Sequence, residues 1–192
     1  MRFYFESYGC TMNHGEARIM QDIIRKKGHS IVHNIQDSDA QVLVTCTVIK
    51  TTELRMMKRL ITLSKTKKPV IVAGCMASVQ KDQILALNPK AIILIPQTLR
   101  NIGNIADTLQ KEGRKMDKDP RSGPITEVST DAIIPISSGC LGSCTYCITK
   151  LARGKLRSYP PEKIIEGIRS ALADGYKAVS YTHLTLPTTP YV

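Results

Sequence analysis

Two hydrophobic periods alternate along the first half of the chain. Short apolar runs of β-branched and aromatic residues, Phe3-Tyr4-Phe5, Val42-Leu43-Val44, Val70-Ile71-Val72-Ala73 and Ala91-Ile92-Ile93-Leu94-Ile95, read as buried strands. Between them the apolar positions follow helical spacing. Ala17, Ile19, Met20, Ile23 and Ile24 form one such face, with Gly28 as its C-terminal stop. Leu54, Met57, Leu60 and Ile61 form the next. Ser78 is placed to cap a helix running to Leu87, which Asn88-Pro89 ends. Ile102, Ile105, Ala106 and Leu109 mark a fourth helix. Strands alternating with helices predict an α/β fold, a doubly wound parallel sheet, over residues 1–111.

Periodicity then stops. Residues 112–131, rich in mixed charge, Pro and Gly, read as a linker. Ala132 to Ile136 begins a second unit, and Pro160-Pro161 opens a helix that carries Ile164, Ile165, Ile168 and Leu172 and closes near Gly175. This second unit is assigned to residues 132–178. The last stretch, 179–192 (VSYTHLTLPTTPYV), fits neither pattern. It reads as an in-frame sequencing adapter, which makes the chain a truncated gene product.

Composition narrows the class. No stretch approaches the ~18 apolar residues of a membrane span, and the chain enters its first strand without a signal peptide, so a cytoplasmic location is expected. Six cysteines then fit metal ligation in a reducing compartment better than disulfides. The net charge of +11 points to a polyanionic partner. Basic residues cluster at 50–68, which a solvated helix face explains, and again at Lys150, Arg153, Lys155 and Arg157.

The cysteines carry the chemistry. Cys140, Cys144 and Cys147 lie in GCLGSCTYC, a C-x3-C-x2-C spacing. Three thiolates in eight residues can hold an iron–sulfur cluster and leave one iron open to a small molecule. A zinc knuckle is the alternative, but no fourth Cys or His lies between Ser129 and Thr182. Cys10, Cys46 and Cys75 each follow a strand-like run. Ligands of parallel sheets bind at the carboxyl ends of strands, so these three are expected on one rim, as a second open cluster. Unrelated buried thiols are the alternative for that set.

The motifs YGCTMNHGEA, TCTV, AGCMA and GCLGSCTYCITKLARGKLRSYP together resemble the radical S-adenosylmethionine (AdoMet) methylthiotransferases, from Arg2 to about Ala178. Within that family, GCTMNHGEA and TYCITKLARGKL look most like the archaeal and eukaryotic branch, which acts on N6-threonylcarbamoyladenosine at position 37 of tRNA. The resemblance implies that the second unit is the first βα unit of a truncated radical-AdoMet partial barrel. It implies two [4Fe–4S] clusters and AdoMet as cofactors, the radical cluster on Cys140, Cys144 and Cys147 and the auxiliary cluster on Cys10, Cys46 and Cys75. The first would cleave AdoMet to a 5′-deoxyadenosyl radical that takes a hydrogen from carbon 2 of the modified adenine. The second would present the sulfur that is added there.

The same resemblance places Tyr146 near the adenine of AdoMet and Arg153 between cofactor and substrate, with a surface cation as the alternative for Arg153. It puts Asn13 beside the auxiliary cluster, while His14 reads as a helix-start residue. Lys150, Lys155 and Arg157 are candidate RNA contacts. The partners implied are tRNA and an electron-donor protein, with no membrane. Two other readings stand beside this one. One is a methylthiotransferase for isopentenyladenosine tRNA or a ribosomal protein. The other is a non-enzymatic iron–sulfur carrier, for which a fourth ligand per cluster is missing. On the truncation reading, the fragment itself is expected to be inactive.

Overall fold

The computed structural model of the chain describes residues 1–112 and 131–182. Five parallel strands form the first sheet: β1 (Arg2–Ser7), β2 (Ser30–Val32), β3 (Ala40–Thr45), β4 (Val70–Gly74) and β5 (Ile92–Leu94), in the order β2-β1-β3-β4-β5. β3 and β4 are buried at every position. That is the signature of central strands covered on both faces, and it is why their sequence reads as unbroken apolar runs.

Two layers of helices supply the cover. On one face α1 (Thr11–Lys26) presents Ala17, Met20 and Ile24, and α5 (Ile102–Glu112) presents Ile102 and Ala106, against Phe3, Val42, Val44, Ile71 and Leu94. On the other, α2 (Lys50–Ser64), α3 (Cys75–Val79) and α4 (Lys81–Leu87) pack over Leu43, Val70 and Val72. The sheet is therefore doubly wound, as the alternation of periods predicts. Burying a side chain such as Leu60 or Ile24 contributes roughly 1.5–3 kcal/mol, so these two layers dominate the stability of the unit.

Three local expectations change. The buried stripe of α2 is Glu53, Met56, Leu60 and Leu63, while Leu54 and Ile61 face solvent. Glu53 can be buried because Lys50 Nζ reaches its carboxylate at 2.7 Å. The helix expected from Ser78 to Leu87 is broken at Gln80 into α3 and α4, and Ser78 caps nothing. The short edge strand β2 has no strong apolar signal of its own; it forms because its backbone pairs with β1. The basic residues at 50–68 are in part structural. Arg59 pairs with Glu6 at 2.7 Å, and Lys68 Nζ donates to the carbonyls of Ile35 and Gln36.

The second unit holds β6 (Asp131–Pro135), β7 (Ser137–Ser138), α6 (Ile148–Arg153), β8 (Arg157–Ser158), α7 (Pro161–Ala173) and β9 (Ala178–Thr182). β6 and β9 pair in parallel from Asp131↔Ala178 to Pro135↔Thr182. β9 therefore continues past residue 178, where the sequence reading ends the second unit. A β-branched run suits a strand whatever its origin, which is the physical reason for the difference. Of the linker, residues 113–130 lie outside the described residues, as do 183–192. No helix among the described residues is long and apolar enough to cross a membrane.

Candidate metal centre

The order 2-1-3-4-5 reverses direction between β1 and β3, and in open parallel sheets ligands bind outside the carboxyl ends of the strands at such a point. Cys10 follows β1 as the residue before α1, Cys46 follows β3, and Cys75 follows β4 as the first residue of α3. All three stand on the rim the sequence predicts. A Cβ built on Gly9 would lie 2.5 Å from Cys46 Cβ, so the Cys10 loop sits directly against Cys46.

Asn13 fastens this rim. Its amide nitrogen donates to the carbonyls of Tyr8 at 2.8 Å and Thr45 at 3.1 Å, tying the ends of β1 and β3 together. Its oxygen then faces the cysteines, 3.9 Å from Cys10 Sγ. His14 lies in the first turn of α1 and is exposed.

Arg153 reaches into this rim from the second unit. It is 3% exposed, which settles against the surface-cation alternative. Its Nε donates to Cys75 Sγ at 3.2 Å, one Nη to Asn13 Oδ1 at 2.7 Å, and both Nη atoms to the Glu16 carboxylate. Glu16 is itself buried, a placement its charge alone does not suggest. Its helical distance from Asn13, three residues, places both on one face of α1 and is the signal that could have found it. Burial pushes the Cys75 thiol up to about 11, with Arg153 opposing. The Arg153 guanidinium stays charged, its pKa raised although burial acts to lower it, because Glu16 and Cys75 outweigh that burial.

The second set lies along the loop from Gly139 to Cys147. Gly139 has φ +85°, and a Cβ there would meet Lys155 O at 2.0 Å, so the loop can close on the backbone at Lys155 only through a glycine. Gly142 N donates to Cys140 Sγ at 3.3 Å. Lys150 Nζ donates to the carbonyls of Cys140 and Gly142, each at 2.9 Å, and so braces the loop. Cys147 precedes α6, and hydrogen bonds from Thr149 hold its thiol below the usual range. Tyr146 is 84% exposed beside it. Lys155 and Arg157 are exposed.

All six cysteines are free. Among the described residues, no three Cys, His, Asp or Glu side chains are placed so as to hold a metal ion. Cys46 and Cys75 pack as buried thiols, Cys10 lies exposed on a helix start, and Asn13 and Arg153 stand among them. The donor chemistry nevertheless suits an iron–sulfur cluster. The ligands are soft thiols, a fixed cation stands beside Cys75, and a backbone N–H is aimed at Cys140 Sγ.

Residues 2–95 match the family described as "Uncharacterized protein family UPF0004". Over 190 residues the chain is 35% identical to a protein of Pyrococcus horikoshii named "Probable threonylcarbamoyladenosine tRNA methylthiotransferase", covering 93% of this chain and 44% of that protein. A protein of the same name from Methanothermobacter thermautotrophicus is 32% identical, with 95% and 45% covered. A "tRNA-2-methylthio-N(6)-dimethylallyladenosine synthase" of Christiangramia forsetii is 30% identical, with 93% and 40% covered. The chain spans less than half the length of these relatives. The chain is thus similar to UPF0004 over residues 2–95, and similar along nearly its whole length to proteins named for the methylthiolation of tRNA.

Proposed function

We propose that the protein this chain represents is a tRNA methylthiotransferase of the radical AdoMet type, adding a methylthio group to carbon 2 of N6-threonylcarbamoyladenosine. The observation that carries it is one arrangement: three cysteines at the carboxyl ends of three neighbouring parallel strands, with Arg153 linking them to a second three-cysteine loop. The higher identity to archaeal proteins with the threonylcarbamoyladenosine name, 35% against 30% for the dimethylallyladenosine synthase, favours that nucleoside.

Cys10, Cys46 and Cys75 would hold one [4Fe–4S] cluster, and Cys140, Cys144 and Cys147 the other, with AdoMet bound at the latter. Such clusters supply electron transfer and reductive AdoMet cleavage when bound. The chain's own residues orient and insulate. Asn13 sets the spacing of two strand ends, Lys150 fixes the carbonyls of the cysteine loop, and Gly139 lets that loop close. Exposed Tyr146 is available to stack on an adenine. Lys155 and Arg157, exposed on the arm after α6, are the candidate phosphate contacts, and Lys150 would contribute only what its loop bonds leave free. The partners on this reading are tRNA and an electron-donor protein, and the place of action is the cytoplasm. Nucleoside analysis of tRNA from a strain lacking the gene tests it. Loss of the 2-methylthio form of threonylcarbamoyladenosine is expected. Loss of the isopentenyl counterpart instead would transfer the assignment, and unchanged tRNA would overturn it.

A further inference from the structure

Arg153 is joined to the first unit by more bonds than its neighbours in the second. Its partners Asn13, Glu16 and Cys75 stand 140, 137 and 78 residues away in sequence. The guanidinium is almost wholly buried, and a buried cation persists only where carboxylate and acceptors surround it. Here Glu16 takes the two Nη atoms, a fork that fixes direction as well as charge. The Asn13 amide cannot turn away from it. Both of its N–H donors are spent on Tyr8 and Thr45, so its oxygen has to face Arg153.

The position of Arg153 on its own element gives these bonds a consequence. Cys147 precedes the first residue of α6 and Arg153 is its last. At 1.5 Å per residue the helix is ~9 Å long, so anchoring Arg153 places the end of the second cysteine loop about one short helix from Cys75. Two further contacts hold the same seat. Gln97 Nε2 donates to Ala152 O at 3.3 Å, and a Cβ on Gly15 would lie 2.9 Å from Ile133 Cγ2, so β6 rests directly on α1.

We propose that Glu16 and Arg153 form a latch between the two units, which seats α6 on the strand-end rim and sets a fixed cation and N–H donor on the Cys75 sulfur. Both are positioning residues. The docking role is independent of any cofactor. The role at Cys75 rests on the proposed function, because it takes that sulfur as a cluster ligand. A donor to a ligating sulfur raises the potential of an iron–sulfur centre.

Hydrogen exchange of the iron-free 192-residue chain reads the latch directly. Glu16→Gln and Arg153→Met are each expected to speed exchange at least about tenfold in both 11–16 and 148–153, with β3 and β4 unchanged. The double variant should lose no more than either single. Losses confined to the substituted segment, or additive losses, would overturn the latch. Should Arg153→Met unfold the whole chain, Arg153→Lys keeps the charge without the fork and is expected to show the same paired loss to a smaller degree. Paired protection kept in Arg153→Lys would overturn the fork.

The sulfur contact has its own measurement. The chain with Cys140, Cys144 and Cys147 changed to Ala, reconstituted with ferrous iron and sulfide, would carry a cluster on the first set alone. Adding Arg153→Met is expected to move its midpoint potential to more negative values, and an unmoved potential would overturn the contact. Failure of that background to take up iron would contradict the proposed function, and the exchange comparison would then decide the latch by itself.

Discussion

Cys75 and Cys147 have opposite electrostatic surroundings. Burial raises the Cys75 thiol from 9.0 to about 11, and the neighbouring Arg153 only partly opposes this. Cys147 is lowered, first by the Thr149 side chain and then by backbone donors. At pH 8, iodoacetamide is therefore expected to label Cys147 well ahead of Cys75, read by peptide mass spectrometry, since the thiolate is the nucleophile. Equal labelling in the folded chain would contradict these surroundings. The same shift bears on stability. A thiol raised on folding contributes stability that is fully present below its unfolded value of 9.0 and is lost as pH rises through about 11. The loss amounts to roughly 3 kcal/mol over that window. Urea midpoints from pH 8 to pH 11 should fall less steeply in Cys75→Ala than in the parent, and parallel curves would contradict this. At this scale the sequence points to the cysteines and to Asn13 because each stands in a distinct local motif. The burial of Arg153 is not legible there, because it depends on Glu16, a residue 137 positions away whose charge alone suggests a solvated surface.

At the scale of elements, the phase of α2 offers the sharpest check. Leu60 is buried and Leu54 is 49% exposed, although both belong to one apolar set in the sequence. Leu60→Ala should cost roughly 2–5 kcal/mol in urea unfolding. Leu54→Ala should stay within about 0.5 kcal/mol, and equal costs would restore the phase read from sequence. Gly74, which ends β4 just before Cys75, gives a second check. It has φ +93°, and a Cβ would meet Thr45 O at 2.4 Å; Gly28 has φ +80° with nothing within 4 Å. Gly28→Ala should cost roughly 1 kcal/mol, from backbone conformation alone. Gly74→Ala adds a backbone clash and should cost clearly more, with β3 and β4 forced apart beside two of the cysteines.

These cases show where the sequence was legible. β1, β3, β4 and α1 were readable because burial on one or both faces leaves a strong apolar period. β2 and the α3–α4 break were not, because edge pairing and the turn after Cys75 depend on partners distant in the chain. The α2 stripe is not legible because Glu53, paired with Lys50, occupies a buried position that an apolar count assigns to solvent.

For the molecule as a whole, two cysteine sets on separate units are brought together by one docked helix. The β6–β9 pair makes residues 178–182 part of the second unit. A chain ending at residue 178 is therefore expected to lose amide protection in β6, whereas unchanged protection would show that the strand beyond Ala178 contributes nothing. The central claim is that each cysteine set holds its own cluster. Iron and acid-labile sulfide, measured after anaerobic reconstitution of the full-length parent protein and of its two triple Cys→Ala variants, test it most directly. Two [4Fe–4S] clusters are expected in the parent and one in each variant. The paramagnetic resonance signal should respond to AdoMet only where Cys140, Cys144 and Cys147 are intact. Iron content unchanged in either variant, or a response to AdoMet that survives loss of those three cysteines, would contradict the account.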